Sequence, residues 1–200
     1  MVRDLSTTLC GVELDNPVIP ASGTFGFGAE MSEIYDLDIL GSISFKGTTL
    51  EPRFGNPTPR IAECRSGMIN SVGLQNPGID AVISHELPEL RKRFHKPIIA
   101  NISGFSIEEY TECCRKIDAE EQVEIIEVNV SCPNVHNGGM AFGTSPQSAA
   151  AVTAAVNAVV YGLDITKQAD ILVAAVGIAK FVKADMVKGI ESDTISFSLE

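Results

Sequence analysis

Residues Glu124–Gly139 read EIIEVNVSCPNVHNGG, and the rest of the chain is read outward from them. Ile125, Ile126, Val128 and Val130 make an apolar, β-branched run that suits a buried strand. The run stops at Cys132, held open by Pro133, with Asn129, Asn134 and Asn137 close by and Gly138-Gly139 following. A buried strand that gives way at once to Asn, Ser, Cys and Gly delivers polar groups to its carboxyl edge. In parallel α/β folds that edge is where ligands bind. Carboxamides there can donate and accept around a planar polar ligand, and a thiol can act as base or nucleophile. The same residues also read as a plain strand–loop junction whose cysteine is a small, inert hydrophobe.

Composition narrows the setting. With 200 residues, 44% hydrophobic and 20% charged, the chain is globular and able to bury a sizeable core. It is short for a closed eight-fold barrel, which takes about 250 residues. The net charge of -11 argues against nucleic acid or an anionic membrane as partner. Cys10, Cys64, Cys113, Cys114 and Cys132 are odd in number and form no C-x-x-C pair, so zinc and iron–sulfur ligation are not expected. Reduced thiols, the lack of a signal-peptide pattern and the lack of an apolar run near the roughly 20 residues of a membrane span predict a soluble, cytoplasmic protein.

Taken in order, Leu5–Leu14 predicts a small hairpin turning near Gly11. PVIPAS (Pro17–Ser22) predicts a short strand ending at Ala21, Ser22 and Gly23, small residues that let a ligand approach the backbone. The GTFGFG that follows fits no dinucleotide fingerprint. A short helix over Ala29–Leu37 and a second strand over Ile39–Phe45 come next, the strand closing on Lys46. Thr48–Asn76 holds no convincing regular element, and loops this long are usually functional or disordered; interleaved Met68, Val72 and Leu74 favour an ordered one. Val82, Ile83, Leu87 and Leu90 share one helical face, with Asp80 as N-cap and Pro88 set to bend or split the helix. PIIANIS gives a third strand ending at Asn101. Ser106 and Glu109 form a capping box for a helix that turns Tyr110, Cys113, Cys114 and Ile117 inward. After the Glu124 strand, Ser145-Pro146 opens an Ala/Val-rich helix to about Val160. Strand and helix alternating at this spacing predict βα units and a parallel sheet, with Ser22, Lys46, Asn101 and Cys132 at strand carboxyl ends.

Several of these stretches resemble one family. NVSCPN, ASGTFGFG (Ala21–Gly28), FKGTT (Phe45–Thr49), RFGNPTPR (Arg53–Arg60) and NSVGLQNPG (Asn70–Gly78) are similar, in order, to the class 1 dihydroorotate dehydrogenases, most to the catalytic subunit of class 1B. The likeness runs from Met1 to about Ala155. It implies a TIM-barrel type fold, FMN as cofactor and dihydroorotate as substrate. It also implies an electron-transfer subunit carrying FAD and a 2Fe–2S cluster as partner. By the same resemblance Cys132 is the catalytic base. Lys46, Asn70, Ser71, Val72, Gly73, Leu74, Asn129 and Asn134 hold substrate. Ala21, Ser22, Gly23, Lys46, Gly47, Asn101 and Asn129 meet the flavin, Gly47 standing where relatives often carry Ala or Ser.

Beyond Ala155 the family's second lysine strand and its glycine-rich phosphate loops are not recognised. YGLDIT (Tyr161–Thr166) and QADILVAAVGIAKFVKADMVK (Gln168–Lys188) instead resemble the nucleotide-binding domain of methylenetetrahydrofolate dehydrogenase/cyclohydrolase, without its catalytic lysine region or Pro-Gly-Gly motif. Ile171–Val176 predicts a strand and Asp193–Glu200 a half-buried one. The expectation is one compact domain: a dihydroorotate dehydrogenase-like half barrel over 1–155, continued by a spliced βα segment over 156–200. The sheet is then an incomplete barrel or an open sheet, whose unpaired edges predict a homo-oligomer. Oxidation of dihydroorotate to orotate is the first functional expectation. A folded, non-catalytic chimera keeping half of the flavin site is the second, and a fragment of a folate-linked NADP dehydrogenase the third.

Overall fold

The computed structural model describes residues 4–65, 67–130, 142–143, 145–160 and 171–174. Its centre is a parallel sheet of four strands in the order β3 (Ile43–Ser44), β6 (Ile98–Ile102), β7 (Val123–Asn129) and β8 (Ile171–Ala174). Two antiparallel hairpins stand apart from it: β1 (Thr7–Leu9) with β2 (Val12–Leu14), and β4 (Ile61–Cys64) with β5 (Gly67–Asn70). No strand among the described residues joins β3 to β8, so the sheet described is open, built of parallel βα units of the TIM-barrel type.

Alternation gives the sheet two chemically different faces. Ile98, Ala100 and Ile102 of β6 and Ile126, Val128 and Val130 at β7 are buried with Tyr110, Cys113, Cys114 and Ile117 of α5 (Ile107–Ile117). Val152, Val156 and Val160 of the helix Pro146–Val160, here α6, complete that layer. The other face begins with Ile99 and Ile125, covered by Cys10 from the β1–β2 hairpin with Leu9, Val12 and Ile19 beside it. Further along the same side come Asn101, Glu127 and Asn129. The register slips between Ile98 and Ile99, paired with Val123 and Ile125, and the bulge leaves Glu124 exposed to solvent.

Local signals set the helices. Ser106 Oγ accepts from Glu109 N at 3.2 Å and Glu109 Oε2 accepts from Phe105 N at 2.7 Å, the expected capping box. Ser145 Oγ accepts from Ser148 N at 3.3 Å and opens α6. Pro88 does split its helix. α3 (Ile79–Ala81) widens into a π turn over Val82–Glu86 before α4 (Leu87–Arg91), because the proline ring removes one donor and crowds the turn before it. Gly78 rather than Asp80 is the N-cap; Asp80 sits in the first turn and pairs with Lys116 Nζ at 2.7 Å.

Other expectations are corrected. PVIPAS forms no strand, since Pro17 and Pro20 carry no N–H for a ladder; Val18 O accepts from Gly41 N at 2.9 Å outside any ladder. Ser22–Phe25 is instead a one-turn helix, α1, and α2 is confined to Ala29–Ser32. The second strand shortens to Ile43–Ser44, because Asp36 caps a 3₁₀ turn over Leu37–Ile39. Asp38 in that turn accepts from His95 N at 2.9 Å and lies 2.7 Å from His95 Nδ1. Lys96 Nζ binds Asp15 at 2.6 Å and the Leu40 carbonyl at 2.8 Å, pinning the entry of β3 to that of β6. Thr48–Asn76 contains the β4–β5 hairpin, whose strands are exposed throughout and so lack the alternation that marks a half-buried strand. The expected strand over 193–200 lies outside the described residues.

Ile102, fully buried in the central strand, sets the scale of the core. Ile102→Ala is expected to lower unfolding free energy by about 2–5 kcal/mol, whereas Ile61→Ala, 57% exposed, shifts it by about 0.5 kcal/mol or less; urea titrations compare them. Burial pushes the Asp38 carboxyl up, but the hydrogen bonds from His95 outweigh it and hold it below the ordinary value. Its contribution is therefore present above the unfolded pKa of about 3.9 and lost as pH falls through the lower folded value. Asp38→Asn should flatten the acid limb of a melting-temperature profile below about pH 4.

Candidate functional site

The chain extends the β3–β6 pairing past the strand ends: Phe45 N donates to Ile99 O at 3.2 Å, Thr48 N to Asn101 O at 2.9 Å and Ser103 N to Thr48 O at 2.8 Å, while Lys46 N donates to Gly26 O behind α1 at 2.9 Å. This draws α1, the Lys46–Thr49 turn and the ends of β6 and β7 to one edge. Asn101 lies at its middle, 1% exposed. Its Nδ2 donates to Ser22 Oγ at 3.3 Å and its Oδ1 accepts from Asn129 Nδ2 at 3.2 Å. The Asn129 carbonyl accepts from Tyr110 Oη at 2.7 Å, tying the end of β7 to α5.

Gly47 is packed against this chain of amides. A Cβ there would stand 3.0 Å from Asn101 Oδ1, 3.2 Å from Leu74 Cδ2 and 3.5 Å from Ser103 Oγ. The Ser103 hydroxyl, 1% exposed, has no hydrogen-bond partner among the described residues. A buried hydroxyl left unpaired is costly; beside a glycine that leaves no side chain in the way, it marks a position that a polar partner completes.

Of the residues singled out by sequence, the structure brings Ser22, Gly47, Leu74, Asn101 and Asn129 together. Asn70, which ends β5, and Ser71 and Val72, which follow it, lie further out, with Asn70 and Ser71 exposed. Asn70 Oδ1 accepts from Val72 N at 3.3 Å and Ser71 N donates to Arg60 O at 2.8 Å. Gly73 (φ 75°) and Leu74 (φ 56°) are both left-handed. Ala21 and Gly23 are exposed, and the Ala21 carbonyl accepts from Thr24 and Phe25 N at 3.2 Å each. Two residues on from inward-facing Ser44, Lys46 is half-buried, and its ammonium meets no carboxylate among the described residues. Cys132 and Asn134 lie outside the described residues.

Sequence reasoning missed four neighbours. Ser44 Oγ donates to Glu127 Oε2 at 2.7 Å across β6, one layer beneath the amides. Period-two alternation, which puts Glu127 on the side of Asn129 and Ser44 on that of Lys46, was the available signal. Asn76 is 5% exposed and hydrogen-bonds the turn containing Leu74. Arg53 stacks its guanidinium 4.4 Å from the centre of the Phe105 ring. On the helix side, burial pushes the Cys113 thiol up to about 12, with the Glu109 charge adding to it, and burial raises Cys114 further. Both remain protonated thiols at neutral pH. No cluster of three or more metal-ligating side chains occurs among the described residues, and no described helix is long and apolar enough to cross a membrane.

The sequence profile of the dihydroorotate dehydrogenase family matches residues 4–194. The dihydroorotate dehydrogenase B (NAD(+)) catalytic subunit of Bacillus pumilus is 56% identical over 152 residues, which cover 76% of this chain and 49% of that protein. Its counterpart from Anoxybacillus flavithermus is 54% identical over 155 residues, 78% of this chain and 49% of that one. That from Enterococcus faecalis is 53% identical over 159 residues, 80% and 51% respectively. The chain thus spans about half the length of the curated relatives it matches. In three dimensions it resembles the crystal structure of DHODH in complex with ferulenol from Eimeria tenella. The TM-score is 0.67 at 19% identity, over 86% of this chain and 52% of that one, a likeness of fold.

The cysteines offer a direct check on the two faces. With a neutral-pH thiol reagent and peptide mapping, exposed Cys64 should label in the native chain while Cys113 and Cys114 label only on unfolding. Native-state labelling of Cys113 at the rate of Cys64 would contradict the packing of α5.

Proposed function

This chain belongs to the dihydroorotate dehydrogenase family, and from that premise we propose that its carboxyl-edge site serves the flavin-dependent oxidation of dihydroorotate to orotate in pyrimidine biosynthesis. The observation that carries the reading is the Ser22–Asn101–Asn129 chain beside Gly47 and the Ser103 hydroxyl, which has no partner among the described residues. Buried amides and a hydroxyl at hydrogen-bonding distance from one another, with no side chain on Gly47, fit the polar edge of a flat heterocycle.

FMN, when bound, supplies the hydride acceptor. Ser22, Gly47, Asn101 and Asn129 would hold its ring, with Ala21, Gly23 and Lys46 beside them. Lys46 would place a positive charge against flavin and substrate carboxylate, an ammonium suited to the task because it meets no acid among the described residues. Asn70, Asn129 and Asn134, with the backbone of Ser71, Val72, Gly73 and Leu74, would clamp the substrate ring. Cys132 would take, as thiolate, the proton from the carbon next to the substrate carbonyl. A partner subunit carrying FAD and a 2Fe–2S cluster would receive the electrons, and copies of the chain would associate with one another.

A second reading is favoured by the coverage of about half of each relative: a folded, non-catalytic chain in which residues 1–155 form a half barrel and 156–200 a segment that adds β8. The two readings part on flavin. Purified chain mixed with FMN should hold it through gel filtration, show yellow absorbance and bleach when dihydroorotate is added. Cys132→Ser should keep the colour and slow bleaching at neutral pH by about 10²–10⁴-fold. A folded, colourless chain that releases FMN on the column would establish the second reading instead.

A further inference from the structure

The turn from Asn70 to Gly78 is held by a residue with no assigned role. Asn76 is buried, and both ends of its carboxamide are engaged. Oδ1 accepts from Gly78 N at 2.9 Å and Thr49 N at 3.2 Å. Nδ2 donates to Leu74 O at 2.8 Å and Thr49 Oγ1 at 2.9 Å. Its backbone pairs with Arg53 in both directions, at 3.0 and 2.8 Å. One side chain therefore ties the Thr49 turn, the start of α3 and the Leu74 carbonyl into a single knot.

Leu74 needs such a knot. A leucine at φ 56° carries a steric penalty that glycine escapes, and such a conformation persists only where its surroundings over-determine it. Gly73 precedes it in the same region, and a Cβ on Gly73 would fall 2.7 Å from the Asn56 side chain. The Leu74 side chain is buried against Gly47. Its carbonyl is fixed by Asn76 Nδ2, a bond that aspartate cannot make.

We propose that Asn76 is a positioning residue for substrate: its carboxamide holds Leu74 left-handed, and thereby presents the Gly73–Leu74 backbone toward the edge built on Asn101. This rests on the assignment of that edge to dihydroorotate. Asn76 acts through Leu74, so its loss falls on binding rather than on the chemical step.

Asn76→Asp is the decisive variant. It keeps the shape and the two acceptor contacts of Oδ1 and turns the bond to Leu74 O into a repulsion between oxygens. Backbone φ of Leu74, read from NMR chemical shifts and scalar couplings of the unliganded chain, should leave the left-handed region. In the FMN-loaded chain, orotate affinity followed by flavin absorbance should fall about tenfold, and KM for dihydroorotate rise about tenfold with kcat within about twofold. Ser42→Ala, which removes a buried hydrogen bond of 2.8 Å to Pro97 O at the far end of β3, is the stability control and should lower Tm without moving KM or the Leu74 φ. A Leu74 φ unchanged in Asn76→Asp, or a fall in kcat at constant KM, would overturn the proposal. If the unsubstituted chain bound neither FMN nor orotate, the parent reading would fall, and the Leu74 φ would still decide what Asn76 holds.

Discussion

A buried carboxamide has a donor end and an acceptor end, and in a packed interior each must find a partner or the group is too costly to keep. Asn101 meets that demand by reaching in two directions at once, to Ser22 from the first sixth of the chain and to Asn129 on the neighbouring strand. Remote segments thereby acquire a fixed relation at one edge. α1 cannot shift without stranding the Asn101 amide, and β7 cannot slip by one residue without turning Asn129 away. Gly47 and Leu74 sit close against it: a Cβ on Gly47 would stand 3.0 Å from Asn101 Oδ1 and 3.2 Å from Leu74 Cδ2, tight contacts that glycine relieves.

The same strands keep chemistry and cohesion apart. On β6 and β7 the residues facing α5 and α6 are aliphatic throughout, and two thiols on α5 lie among them with their protons held firmly by burial. On the opposite side, apolar contact among the described residues is limited to Ile99 and Ile125 beneath the first hairpin, and hydroxyl, carboxylate and carboxamide groups follow in layers toward the carboxyl edge. Stability thus comes mainly from one face, which leaves the other free to carry groups that a core would reject.

How much of this the residues announce depends on whether the signal is local. The Ser106–Glu109 box, the break at Pro88, the inward set of α5 and the opening of α6 at Ser145 are decided within four or five residues, and all are where the pattern puts them. PVIPAS looked like a strand by hydropathy, but its prolines had already removed the donors that a ladder requires. The β4–β5 ribbon was illegible because neither of its faces is buried, so no periodicity was imposed on it. At the site, the polar rim was visible as residue types at strand ends. That Asn101 would bond Ser22, and that Ser44 would bond Glu127 across an intervening strand, depends on contacts 79 and 83 residues apart in the chain. No short window of sequence contains them.

The β1–β2 hairpin carries a consequence for biosynthesis. Among the described residues, Cys10, Leu9 and Val12 find their cover with Ile19 on Ile99 and Ile125, strands translated roughly a hundred residues later. At about 5–20 residues per second, the hairpin waits several seconds after its own synthesis for that cover. The ribbon is therefore sealed well after it is made, and throughout that interval it is a natural foothold for a chaperone.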